Sequence, residues 1–303
     1  MAESIRAAIC AELIALARQD LDIVVLCSDS RGSASMGEFA KSFPERFIET
    51  GIAEQNLVAI AAGLAHGGKK PFVASPACFL SARALEQVKV DVAYSNMPVM
   101  LIGISGGFSY GPLGMTHHSL SDVATLRPLP NMTVLLPADR FEAVAMVREL
   151  VNVPRPAYIR IGRNPVPDVH EKSDMTIGKV IWMRREPNAK GTIIACGECV
   201  AMAMEAATLL RTWNVLNVHT LKPLDEKAIQ QAAQTGRIVT VEEHHIINGL
   251  GAAVLQTLAL SPVPVLQLGV PDEPAVAGDS AYVRMCYGLD GVGIARQIVQ
   301  WEG

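Results

Sequence analysis

The 303-residue chain has no charge-free apolar run of about 18 residues, so no segment is a candidate membrane-spanning helix. It also lacks an excess of either charge: 26 Lys and Arg against 30 Asp and Glu give a formal net charge of −4. That balance supplies no electrostatic reason to expect nucleic acid or an anionic membrane as a partner. The opening "MAESIRAAIC" lacks the basic-then-apolar order of a signal peptide and reads at once as an amphipathic helix. Of six cysteines, only Cys196 and Cys199 in "CGEC" lie close together, and no second pair completes a zinc site. A redox dithiol is one reading of that pair; reduced core thiols in a cytoplasmic protein are the other. Short-period repeats and low-complexity tracts are also missing.

What is present is apolar and regularly ordered. Half of the residues are hydrophobic, and the length suits about two domains, each with a substantial core. Short β-branched runs at 22–28, 70–75, 98–105, 132–137 and 157–162 predict strands. Helical patterns fit at 3–19, 54–66, 79–95, 118–126 and 139–151, the last opened by Asp139 and Glu142 in capping-box spacing. The proline-bearing, charged stretch "RNPVPDVHEKSDMT" then interrupts the series. A second series follows, with strands at 191–197, 214–220, 237–243 and 263–269 and helices at 198–212, 225–234, 248–260 and 291–301. The expected architecture is α/β: two doubly wound open-sheet domains, at 1–165 and 179–303, joined by a linker at 166–178.

In such sheets ligands gather at the carboxyl ends of the strands. "SDSRGSAS" (28–35) follows the first strand and offers Asp29, Arg31 and Ser33, or else a solvated loop. "GIAEQN" places Glu54 at the mouth of a helix that is apolar almost all round. A first-turn acid suits the helix dipole, but a buried one must be paired, hydrogen-bonded or protonated, as functional acids often are. "SPACFLSARALEQV" (75–88) brings Phe79 to a strand end, where a core role is the plain alternative. "GGFSYGPLGMTHHSL" (106–120) sets four glycines before a tandem histidine, in a loop long enough to suggest function. "RIGRNP" presents Arg160 and Arg163, suited to phosphate or carboxylate capture or to surface ion pairs. "VEEHHIINGLG" (241–251) is also polar and glycine-punctuated.

Taken together, "ETGIAEQN", "FLSARALEQV", "GMTHHSL" and "LLPADRFEAV" resemble the pyrimidine-binding domain of the transketolase family, and "VEEHHIINGLG" resembles that family's C-terminal domain. The likeness runs from about residue 5 to the end, and its order and spacing are more specific than any one motif. It implies thiamine diphosphate as cofactor. The family's Gly-Asp-Gly motif with a downstream Asn, which grips the diphosphate and Mg²⁺, is missing: "GLDGVG" comes too late and "GDS" lacks the second Gly. A split enzyme is therefore expected. A partner subunit carrying that motif would supply the diphosphate and metal site, in an α2β2 heterotetramer, and this chain would hold no metal ligands. Glu54 matches the catalytic glutamate that shares a proton with the pyrimidine N1′, a contact that works best where water is excluded. Phe79 matches the aromatic stacked on the pyrimidine. Asp29 is expected beside the cofactor. His117 matches the catalytic histidine that contacts the donor sugar. Arg6, Ser33 and Arg163 fall at the phosphate-binding positions, with Arg160 the alternative to Arg163.

Two departures bear on the substrate. Leu113 stands where the family carries an aspartate that contacts a sugar hydroxyl, and Ser105 or its neighbour stands where a phosphate-binding histidine is usual. A ketose of altered stereochemistry or altered terminal group is the resulting expectation. The rival readings are a 2-oxoacid dehydrogenase beta subunit, a 1-deoxyxylulose-5-phosphate synthase-like enzyme, and a non-catalytic module that has kept the fold.

Overall fold

A computed structural model describes residues 4–172 and 175–303. Residue 3, read as the start of the first helix, and residues 173–174 of the expected linker lie outside them. Six strands in the first half are β1 (Ile23–Cys27), β2 (Phe47–Glu49), β3 (Lys70–Pro76), β4 (Met100–Ile104), β5 (Thr133–Leu135) and β6 (Ala157–Arg160). The second half adds β7 (Ile181–Arg184), β8 (Gly191–Ala195), β9 (Trp213–Asn217), β10 (Thr220–Lys222), β11 (Ile238–His245) and β12 (Val265–Val270). Their order is β10-β5-β6-β4-β3-β1-β2 in one sheet and β12-β11-β8-β9-β7 in the other. Pairing is parallel except for β10 on β5 and β7 on β9. The expected two-sheet α/β architecture is what forms.

Burial on both faces explains the continuous apolar runs of the central strands. Along β1, Val24 and Leu26 enter one core, with Leu57, Val58 and Leu101, while Val25 and Cys27 enter another, with Ile9, Leu13 and Met146. That is the two-residue alternation of a strand, divided between two helical layers. The first of these cores does not stop at the first sheet. It continues through Ile194, Leu216 and Leu250 of the second half. The two halves are also stitched by β10, which leaves the second series to pair with β5.

Several local expectations change. The 79–95 helix is instead a short helix, Ala77–Ala82, a turn at Arg83–Ala84, another turn of helix at Leu85–Gln87, and a π-helical segment, Val88–Tyr94. The expected 118–126 helix starts only at Asp122. His118 and Ser119 are engaged elsewhere, Ser119 bridging to Gly107. Asp139 does cap its helix, accepting from the N–H groups of Phe141 and Glu142. Glu142, however, reaches back one residue further than a capping box requires, accepting from Ala138 N–H, and also binds Asn217 of β9. The helix Glu54–His66 is not buried all round: Glu54, Leu57, Val58, Ala61, Ala62 and Ala65 face inward, whereas Ala59 and Gly63 are exposed. The two cysteines of "CGEC" are free, buried thiols, and burial pushes both well above the usual thiol range.

Candidate active site

The first sheet delivers its motifs to one rim, because each follows the carboxyl end of a parallel strand. Asp29 and Ser33 follow β1, Glu54 follows β2, Phe79 follows β3, His117 follows β4 and Arg163 follows β6. Chain direction alone brings together residues that are far apart in sequence.

Glu54 is the first residue of its helix, is only 1% exposed, and accepts at Oε2 from Arg83 Nη1 at 2.8 Å. The turn at Arg83–Ala84 ends the preceding helix there, and the guanidinium lies 4.5 Å from the centroid of the Phe79 ring. Phe79 in turn meets His117 edge to face, ring centroids 5.4 Å apart. His117 is contacted from another side by Tyr110, at 5.6 Å and again edge to face. Its Nδ1 is 2.9 Å from the Thr116 hydroxyl. A cavity of about 570 Å³ opens beside this group, lined by Cys78, Phe79, Arg83, Met115, Thr116 and His118 among others. A larger cavity, about 700 Å³, lies between Arg127, Lys222 and Gln256 and is lined by Asn248 of the second-half motif but by none of Glu54, Phe79, Arg83, Tyr110 or His117.

The aromatic chain ends on cations. Arg163 lies 5.0 Å from the Tyr110 ring centroid, and its carbonyl accepts from Arg6 Nη2 at 2.7 Å. Arg6 Nη1 donates to the Ser33 carbonyl, while the Ser33 hydroxyl is turned to Ser30 O at 3.1 Å. Burial and the nearby Arg163 charge both lower the Arg6 pKa. No carboxylate pairs with Arg6 or Arg163 among the described residues, so this corner carries net positive charge and suits an anion.

Arg160 and the second histidine are engaged by contacts within the chain. The Arg160 guanidinium is buried and binds Asp122 Oδ2 at 3.0 Å and the carbonyls of Ser119 and Glu243. His118 Nε2 donates to Gly111 O at 3.1 Å, and burial lowers its pKa. Of the tandem pair, His117 alone faces Phe79. Asp29 is exposed, and its described contact is an N–H bond to Glu49 Oε1; no hydrogen bond or ring contact joins it to Phe79 or His117 among the described residues.

Two residues of this arrangement went unread in the sequence. Arg83 sits within "FLSARALEQV" and Tyr110 within the glycine-rich loop. Arg83 stands four positions after Phe79, the spacing that puts two side chains on one helical face, and that was the available signal for Arg83. Nothing local marks Tyr110.

Comparison with known proteins assigns both halves. The description "Transketolase, pyrimidine binding domain" matches residues 2–168, and "Transketolase, C-terminal domain" matches residues 180–294. The chain is 49% identical over 296 residues to one of the subunits of an apulose-4-phosphate transketolase from Phocaeicola vulgatus, covering 95% of this chain and 94% of that one. It is 37% identical over 291 residues to a 6-deoxy-6-sulfo-D-fructose transketolase subunit of a Clostridium species, covering 94% and 90%. A split-gene transketolase solved as an inactive beta4 tetramer superposes with a TM-score of 0.88 at 34% identity, covering 99% of this chain and 98% of that one. With both of its halves matched in order, the chain belongs to the transketolase family.

Proposed function

We propose that this chain is one subunit of a two-chain, thiamine-diphosphate-dependent transketolase, contributing the aminopyrimidine and sugar sites. The observation that carries this reading is the single row of contacts from buried Glu54 through Arg83, Phe79, His117 and Tyr110 to the Arg163–Arg6 corner. The residues present fit the cofactor's ring: a water-excluded carboxylate, an aromatic side chain and a neighbouring cavity suit a flat heterocycle with a basic nitrogen. Bound thiamine diphosphate would supply a nucleophilic carbon that takes up and releases a two-carbon ketol unit. Glu54 holds a proton at the ring nitrogen N1′, Phe79 packs on the ring, and His117 orients and exchanges a proton with the donor's hydroxyl. Arg6 and Arg163 hold the far, anionic end of the sugar, with Ser33 at that corner. We assign Asp29 to the cofactor side of the rim on its position after β1 alone.

No three His, Cys, Asp or Glu side chains group as a metal centre among the described residues. Mg²⁺ and the diphosphate are assigned to a partner subunit carrying Gly-Asp-Gly and a downstream Asn, in an α2β2 assembly. Two exposed apolar side chains on elements next to Glu54 suit that partner. Ile52, 74% exposed, lies just before the Glu54 helix, and Tyr94, 78% exposed, ends the π-helical segment that packs on it. We assign the cytoplasm as its compartment. No helix among the described residues is long and apolar enough to cross a membrane.

The donor we infer is a modified ketose. Leu113 presents an apolar, half-exposed side chain on the His117 loop where a hydroxyl-binding aspartate is usual. The relatives named for apulose-4-phosphate and 6-deoxy-6-sulfo-D-fructose fit that reading. The test is ketol transfer by the chain mixed with its partner subunit, with modified ketose phosphates compared against xylulose 5-phosphate. Release of CO₂ from pyruvate, with no ketol transfer, would instead select the 2-oxoacid dehydrogenase or deoxyxylulose phosphate synthase reading.

A further inference from the structure

The loop between β4 and Asp122 carries His117 and Tyr110, yet its deepest anchors are in the other half of the molecule. Phe108 is fully buried and belongs to the core of the second sheet, with Val241, Val270 and Val283. Its ring stacks on Tyr287, centroids 5.7 Å apart and planes within 6°. Both backbone groups of Phe108 are claimed from the same side: its N–H donates to Glu243 Oε1 at 2.9 Å, and its carbonyl accepts from the Ser280 hydroxyl at 2.8 Å. Further along, Gly278 N–H donates to Gly111 O at 3.0 Å.

Glu243 is the hub of these contacts. Its Oε2 accepts from Arg284 Nε at 3.0 Å, and Arg284 Nη2 donates to Glu198 Oε2 at 2.7 Å. The Glu243 carbonyl accepts from Arg160 of the first sheet. Arg160 and Arg284 thus meet three carboxylates, Asp122, Glu198 and Glu243, in a cluster of low exposure where opposite charges are paired, as the burial of charge requires. Gly107 lets the loop close against this cluster. A Cβ there would stand 2.7 Å from Glu243 Oε1, and its φ of +60° already disfavours a side chain.

We propose that the C-terminal half acts as a buttress for the substrate loop, with Glu243 and Arg284 as positioning residues that fix Phe108 and, through it, Tyr110 and His117. The functional part of this statement rests on the transketolase reading; the mechanical part does not. A loop held only at its two ends on the first sheet would sample many positions, and losing a well-placed sugar contact is expressed mainly as weaker donor binding.

The test pairs hydrogen exchange on the full chain with kinetics of the reconstituted enzyme. In Arg284→Ala, amides of residues 107–111 and 113 should exchange at least about tenfold faster, while those of β1 and β3 keep their rates. The donor KM should rise about tenfold with a smaller change in kcat, and Arg284→Lys should recover part of both. Gly111→Ala is the independent variant, because its Cβ would lie 2.0 Å from Gly278 O and push the loop off without touching the ion cluster. It should give the same exchange pattern. Unchanged loop exchange in Gly111→Ala, or in a folded Arg284→Ala, overturns the buttress. Faster loop exchange in both variants, beside a wild type that shows no ketol transfer, would sink the transketolase reading and leave the buttress standing.

Discussion

Arg83 Nη1 donates to Glu54 Oε2 at 2.8 Å, and the two ends of this pair face different media: the carboxylate is 1% exposed, the guanidinium side chain 46%. A charge that deep needs its partner, but a half-wet arginine contributes less than a buried one. Arg83→Ala should therefore cost about 1–2 kcal/mol, below the range for a fully buried pair. Urea unfolding of Arg83→Ala, Glu54→Gln and the double variant measures it. A coupling below about 0.3 kcal/mol in that cycle would reduce the pair to a surface contact.

Glu54→Gln keeps the size of the side chain and removes its ability to hold a proton at a ring nitrogen. Ketol transfer by the reconstituted enzyme should fall by at least about a hundredfold, the usual scale for losing a positioned acid–base group. The variant should remain folded, since a neutral amide is easier to bury than a carboxylate. Circular dichroism and turnover on the same sample check both halves of the statement. Equal turnover would return Glu54 to an ordinary first-turn acid.

The sequence made the strand-end motifs legible because parallel strands put all their carboxyl ends on one rim, whatever lies between them. Glu54, Phe79 and His117 could be found that way, as could the two-sheet architecture. The order of contacts among them could not. Arg83 meets Glu54 from the C-cap of the short helix Ala77–Ala82, and a smooth 79–95 periodicity hides the break that follows it. Arg160 and Arg163 look equivalent along the chain. What separates them is Asp122 and Glu243, which reach Arg160 from other segments, Glu243 across the two halves. Long-range pairing of this kind leaves no mark in local pattern.

On the proposed reading, Leu113 offers a change of specificity without touching the row of contacts from Glu54 to Arg6. Leu113→Asp would introduce a hydroxyl acceptor on the loop that carries His117, and the site is open enough, at 53% exposure, to tolerate the charge. The ratio of kcat/KM for xylulose 5-phosphate over a modified ketose phosphate should rise by about 5- to 30-fold, or roughly 1–2 kcal/mol, as for one added polar contact. Competition assays with both donors present read this ratio directly. A ratio that stays put would move the selectivity elsewhere on the rim.

His219 lies between β9 and β10, fully buried, with Nδ1 2.9 Å from the Thr220 hydroxyl and no partner at Nε2 among the described residues. Burial, followed by repulsion from His170, pushes it down to about 4. The folded state thus binds fewer protons than the unfolded state between about pH 4 and the ordinary histidine value near 6.5. Stability from this residue is fully present above that window and is lost as pH falls through it. The loss should reach about 3 kcal/mol at pH 4. Glu142 opposes it over part of the range: burial raises its carboxyl to about 7, so its effect weakens the fold as pH climbs from about 4.5. The wild-type curve alone therefore mixes two signs. Comparing wild type with His219→Gln isolates one, since the lost hydrogen bond shifts the variant by a constant while the titration disappears. The unfolding free energy of wild type minus that of the variant should fall by about 3 kcal/mol from pH 7 to pH 4. A gap that stays constant would mean that His219 finds a proton acceptor in the folded chain and titrates normally.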